Sequence, residues 1–225
     1  MQLSDRALTT VEMVRVDLEL EELDGNSYYS IVKMINAASD AIARFCNREF
    51  HYKEDITEKL AGQGGDAIVL AYTPILKIDY IKVDTSEIKD FEIDNKEAGI
   101  IYRQAGWPFH GGVKGFISAD PYPGRESRNI EVKYSAGYVT PEQARKANEN
   151  NDNNGDDEKL ERTLPYDIEQ SCIDTVKTWY HRRMDNLETT QENLMNEQYG
   201  YGRGRLGIPE AVKDLLRYSG WVRPA

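Results

Sequence analysis

The sequence predicts an α+β fold: a bundle of two N-terminal and two C-terminal helices, with a small antiparallel β-sheet inserted in the middle. Three observations predict it. Helical periodicity is confined to the two ends of the chain. Between His51 and Tyr138 the texture changes to short β-type runs broken by turn residues. No long helical pattern separates those runs, which excludes a βαβ series.

The first helix is expected from about Val11 to Leu20. Thr9 and Thr10 are good caps, and Glu12 falls three residues after Thr9, in the spacing of a capping box. Asp24-Gly25-Asn26 breaks the chain. A stronger helix is expected from Ser27 to Asn47, where Ile31, Met34, Ile35, Ala38, Ile42 and Phe45 recur in one apolar stripe. The β-type runs are Ala67–Leu70, Leu76–Val83, Phe91–Ile93, Ile100–Tyr102 and Asn129–Tyr134. The last alternates apolar and polar residues, so one of its faces is buried. Residues 141–163 read as an acidic flexible loop, because Asn148–Asp157 is NENNDNNGDD. Leu164-Pro165 opens a helix running to about Asn196, with Ile168, Cys172, Val176 and Trp179 on its buried side. After Gly200–Gly204 a short helix is expected from Pro209 to Tyr218.

The expected organisation is one composite domain with an arm. Residues 1–50 are the N-terminal helices, 51–140 the β-rich insertion and 141–163 the loop. Residues 164–199 complete the bundle, and 200–225 form the arm.

The chain has 225 residues and a net charge of −11. Gripping DNA phosphates takes clustered Lys and Arg, so this acidity argues against a DNA-binding protein. Its 14 tyrosines suit interfaces that are only partly dry. Cys46 and Cys172 fall inside helical patterns and read as buried thiols of a reducing compartment. The N-terminus lacks the apolar core of a signal peptide, and no run is long and apolar enough to span a membrane. A soluble protein of the cytosol is expected.

Catalysis needs converging groups, and few are in view. His51, His110 and His181 are isolated from one another and from the cysteines, so no zinc spacing exists. His181 lies beside Arg182 and Arg183 and reads as a solvated basic face. No nucleophile elbow is present, and Gly200–Gly204 lacks the Lys and Ser/Thr of a phosphate loop. Asn150, Asp152, Asn154, Gly155, Asp156, Glu158 and Glu161 approach a calcium-loop spacing. The pattern fails at Asn150, at Asp157 and at Pro165. No catalytic residue, metal or cofactor is expected. Tyr199, Tyr201, Arg203 and Arg205 on glycines suit a protein partner better than DNA.

Several segments, in this order, resemble the head–tail connector (adaptor, head-completion) family of tailed bacteriophages. Leu8-Thr9-Thr10-Val11-Glu12 resembles the family's first helix. Ala43-Arg44-Phe45-Cys46-Asn47-Arg48-Glu49-Phe50 is similar to the close of its long helix. Tyr72-Thr73-Pro74-Ile75-Leu76 looks like its lead into a strand. Gly99–Arg103 with Gly106-Trp107-Pro108, Ile130–Tyr138 and Leu164–Ile168 follow as the family's later strands and helix start. The tract 141–163 is longer than usual, and the tail beyond about residue 185 is extended.

The resemblance implies a structural, non-enzymatic virion protein of the neck. It would form a dodecameric ring that docks on the portal and extends the DNA channel toward the tail. The implied partners are the portal protein, a tail-side neck or tail-completion protein, and further copies of the chain. Genomic DNA would pass through without specific binding. For the portal contact the arm supplies Arg203, Arg205, Ile208, Leu215, Tyr218 and Trp221, since aromatic and Arg residues carry most energy at such contacts. The competing readings are a tail-completion or terminator ring, and a small-ligand or metal-dependent enzyme.

Overall fold

A computed structural model describes residues 2–108, 129–151, 160–188 and 207–223 of the chain. These residues fall into two compact units. Residues 52–138 form a β unit, and residues before 52 and after 138 form a helical unit.

The helical unit contains α1 (Val11–Asp17), α2 (Gly25–Cys46), α3 (Pro141–Asn151), α4 (Tyr166–Glu188) and α5 (Glu210–Tyr218). Asp24 opens α2: its carboxylate accepts from Ser27 N at 2.8 Å. Thr10, not Thr9, caps α1, and Glu12 pairs with Arg15 instead of closing a capping box. Thr9 is drawn inward, where its hydroxyl donates to Glu169 Oε1 at 3.3 Å. The buried side of α2 is Ile31, Val32, Ile35, Ala38, Ser39, Ile42 and Cys46, rotated from the expected stripe so that Met34 and Phe45 are half-buried. Ser39 is tolerated there because its hydroxyl donates to Ile35 O at 2.8 Å and accepts from Leu8 N at 3.1 Å. Ile168, Cys172, Ile173, Val176 and Trp179 are buried on α4.

The tract expected as a loop begins with a helix instead. Thr140 and Gln143 form a reciprocal capping box, with Gln143 N donating to Thr140 Oγ1 and Thr140 N to Gln143 Oε1, both at 3.2 Å. Pro141 occupies the first helical turn, where it loses no hydrogen bond. Glu142 is buried beside Arg145, and Lys146 reaches Leu3 O and Asp5. Asn148 clamps the far side of the tract with both amide atoms on the Leu160 backbone. Residues 152–159 lie outside the described residues.

The β unit is a two-sheet sandwich of β1 (Lys53–Leu60), β2 (Ala67–Val69), β3 (Ile75–Val83), β4 (Ser86–Ile88), β5 (Glu92–Asn95), β6 (Ile100–Tyr102) and β7 (Ile130–Ala136). A four-stranded sheet runs β1-β7-β3-β4 and a three-stranded sheet runs β2-β6-β5, antiparallel throughout. Ile75, Ile81, Ile130, Val132 and Tyr134 from the first sheet meet Ile68 and Ile101 from the second, with Leu70 just beyond β2. Fully burying each such side chain contributes about 1.5–3 kcal/mol. Neither β1 nor β4 was expected from the residue pattern. Gly99 adopts φ +76°, and a Cβ there would lie 2.5 Å from Thr73 Cγ2.

Candidate functional site

Candidate binding surfaces in the helical unit cluster at its C-terminal segment. α5 is amphipathic and buries Val212 and Leu216 within the unit, with Ile208 just ahead of it. Trp179 Nε1 donates to Gly207 O at 3.1 Å, fixing the start of this segment. Its end is fixed twice. Trp221 Nε1 donates to Asp167 Oδ2 at 2.5 Å, and Arg223 N donates to Cys46 O at 3.0 Å. The Arg48 guanidinium lies 5.1 Å from the Phe50 ring centre and 5.2 Å from that of Trp221, between two rings that meet edge to face.

This division sorts the expected binding residues by where each side chain lies. Ile208 and Trp221 are engaged within their own unit, so as placed they anchor α5 and do not reach outward. Leu215 and Tyr218, one turn apart, face out; Tyr218 is 91% exposed. Arg203 and Arg205 lie outside the described residues. Tyr166, at the start of α4, is also strongly exposed, with the Arg162 guanidinium 4.1 Å from its ring centre. Asp167, the partner of Trp221, is its neighbour in the chain. Sequence reasoning passed over Tyr166; the exposed position that follows Pro165 at a helix start was the available signal.

The outer face of the four-stranded sheet is of another kind. Its register places Glu87 opposite Lys82, Lys82 opposite Glu131, and Glu131 opposite Lys59, so charge alternates across all four strands. Lys59 reaches Glu131 at 3.3 Å, Tyr80 donates to Glu131 at 2.9 Å, and Lys133 meets Asp55 at 2.7 Å. Asp55 is held below the usual carboxylate range by its hydrogen bond from Lys133, and Glu131 by those from Tyr80 and Lys59. Lys133 is raised in turn by Asp55. Such a face is wet and close to neutral, whatever the net charge of the chain.

Groups suited to covalent or metal chemistry do not converge among the described residues. No cluster of three metal-ligating side chains occurs there. His51 is buried with Nδ1 3.2 Å from Glu49, His181 is exposed on α4, and His110 lies outside the described residues. Cys46 and Cys172 are buried free thiols, both pushed up to about 12 by burial. Most of the calcium-like tract lies outside the described residues. No described helix is long and apolar enough to cross a membrane.

A family model described as "Head completion protein" matches residues 7–216. No curated protein matches the chain. Among solved structures, a chain of the "Neck of empty GTA particle computed with C6 symmetry" is similar at 14% identity and a TM-score of 0.51. The match covers 100% of this chain and 94% of that one. A chain of the "Neck of native GTA particle computed with C12 symmetry" has 13% identity and a TM-score of 0.46, over 100% and 93% of the two chains. The first likeness is one of fold.

Proposed function

Because this chain belongs to the head completion protein family, and is thus a structural protein of the head–tail neck, we propose that it forms an adaptor ring that docks on the portal. The ring extends the DNA channel toward the tail, and its work is mechanical: binding, closure and passage, with no catalysis. The observation that carries the reading is the family match across residues 7–216. The fold supports it at a coarser level, through the likeness to a chain from a neck averaged with sixfold symmetry.

The physical chemistry is consistent with this role. Identical subunits close around a passage by repeating one heterologous contact, and the family resemblance implies twelve of them. A chain of net charge −11 lets phosphates slide where a basic wall would hold them. Portal docking falls to the outward side of α5, with Leu215 and Tyr218 supplemented by Tyr166, and to Arg203 and Arg205. Ile208 and Trp221 hold α5 in place behind them. A tail-side neck or tail-completion protein occupies the opposite side of the ring. Assembly takes place in the host cytoplasm, and the final location is the virion neck.

Negative-stain imaging of the purified protein mixed with the portal from its own genome tests the proposal. An added layer at the narrow end of the portal is the expected result. Caps on isolated tails, with bare portals, would assign tail completion instead. Substituting Tyr166 and Tyr218 together by Ala should weaken the added layer while the helical unit stays folded.

A further inference from the structure

The two outer faces of the β unit differ in kind. That of the four-stranded sheet carries compensating charges, whereas that of the three-stranded sheet sets an apolar strip on β2 and β6 beside carboxylates on β5. Its register sets Val69 beside Ile100 and Ala67 beside Tyr102, on the side opposite the core residues Ile68, Ile101 and Ile93. Val69 is 58% exposed and Tyr102 37%. Beside Tyr102 a cleft of about 690 Å³ opens, lined by Lys89, Asp90, Phe91, Glu92 and Gln104. Asp90 is engaged with Arg103 at 3.1 Å. Glu92, opposite Tyr102, and Asp94 after it on β5 are exposed, and neither has a cation partner among the described residues.

An aliphatic and aromatic strip flanked by free carboxylates suits a segment that carries guanidinium groups beside an aromatic ring. Arg stacks on Tyr, bonds carboxylates in a fixed fork, and lays its stem along aliphatic surface. The chain presents such a segment in Tyr180-His181-Arg182-Arg183 on α4, where His181, Arg182 and Arg183 are exposed. No ion pair engages Arg182 or Arg183 among the described residues. The other adjacent cation pair, Arg145-Lys146, is already bound to Glu142, Glu149 and Asp5.

We propose that in the assembled ring the α4 end of one copy docks on the outer face of the three-stranded sheet of a neighbouring copy. Arg182 and Arg183 meet Glu92 and Asp94, and a guanidinium stacks on Tyr102. The contact joins two different patches, so repeating it about an axis closes a ring instead of a pair. This inference rests on the ring reading.

Disulfide trapping in particles assembled from the protein's own genome tests it. A chain carrying Tyr102→Cys together with Arg182→Cys should give, on oxidation, a ladder of covalent dimers and higher multimers on a denaturing gel. Either substitution alone should leave monomer, because the native thiols are buried. Monomer only from the double variant, in particles that hold several copies of the chain, overturns the docking and leaves the ring intact. A single copy per particle overturns the ring reading itself. Charge exchange supplies an independent arm. Glu92→Lys with Asp94→Lys should cut incorporation into particles at least tenfold, and adding Arg182→Glu with Arg183→Glu should restore it. Undiminished incorporation of the first pair, or no recovery with all four changes, counts against the contact.

Discussion

The Tyr134 hydroxyl donates to Glu58 Oε2 at 2.7 Å while accepting from Tyr72 N at 3.2 Å. Glu58 in turn accepts from Ala71 N at 3.0 Å. One phenol and one carboxylate from neighbouring strands therefore hold the loop leading into β3. Burial raises the Tyr134 phenol far above its usual range, so it stays protonated and remains a donor. Tyr134→Phe removes the donor and leaves Glu58 and Tyr72 N short of a partner. A loss of about 1–2 kcal/mol is expected, read as a lower urea midpoint. Glu58→Gln, which keeps an acceptor, should cost less.

Trp221 is a latch for α5. Trp221→Ala removes its bond to Asp167 and one of the two rings stacked on Arg48. Hydrogen exchange within Glu210–Tyr218 should accelerate while the amides of α2 stay protected. Asp167→Asn retains an acceptor but loses the charge, and should give a smaller acceleration. Equal exchange in all three proteins would mean that Val212 and Leu216 alone hold the helix.

Thr140→Ala opens the capping box of α3. The expected cost is about 1 kcal/mol, localised as faster exchange in the first turn of Pro141–Asn151. Thr140→Ser should behave as the natural protein, since the hydroxyl is what the helix start uses.

Ion pairs on the charged sheet face set the pH response of the β unit. Asp55 and Glu131 have depressed folded values, so their contribution is present above their ordinary range and is lost as pH falls through the folded values. Lys133 and Lys77 are raised, so theirs is present below the ordinary Lys range and is lost as pH rises through the folded values. The urea midpoint should thus be flat between about pH 5 and 9, fall below about pH 4 and fall again above about pH 10. High salt should shrink both losses, because the face is exposed.

Both thiols should be silent in the folded protein. With values near 12, about one thiol in ten thousand is ionised at pH 8. A disulfide reagent should modify neither Cys46 nor Cys172 until denaturant is added, after which both react. Rapid modification of one in native buffer would show that its part of the helical unit opens.

How much of this was legible beforehand varied with the kind of signal. The apolar stripe of α4 and the alternation of β7 were plain, because burial of one face leaves a periodic trace. β1 was missed because Glu58 holds an inward position between Ile56 and Leu60, and its charge masks the alternation. Only the partner phenol, far along the chain, explains it. α3 was hidden by the polar run after it, although Thr140-Pro141-Glu142-Gln143 carries a complete helix-start signal. For the proposed binding set, composition singles out aromatic residues near the C-terminus but cannot separate Tyr218, which faces out, from Trp221, which is bound to Asp167. The apolar strip of the three-stranded sheet had no local signature, since β2 and β6 contribute three residues each and become a strip only once paired.

Tyr52 N donates to Tyr138 O at 2.8 Å, so the first and last residues of the β unit are hydrogen-bonded to each other. The chain leaves the helices and returns to them through one doorway. In the order of the chain the sandwich is thus an insertion that begins and ends on one hydrogen-bonded pair of residues, so a short turn from Tyr52 to Tyr138 would span the gap it leaves.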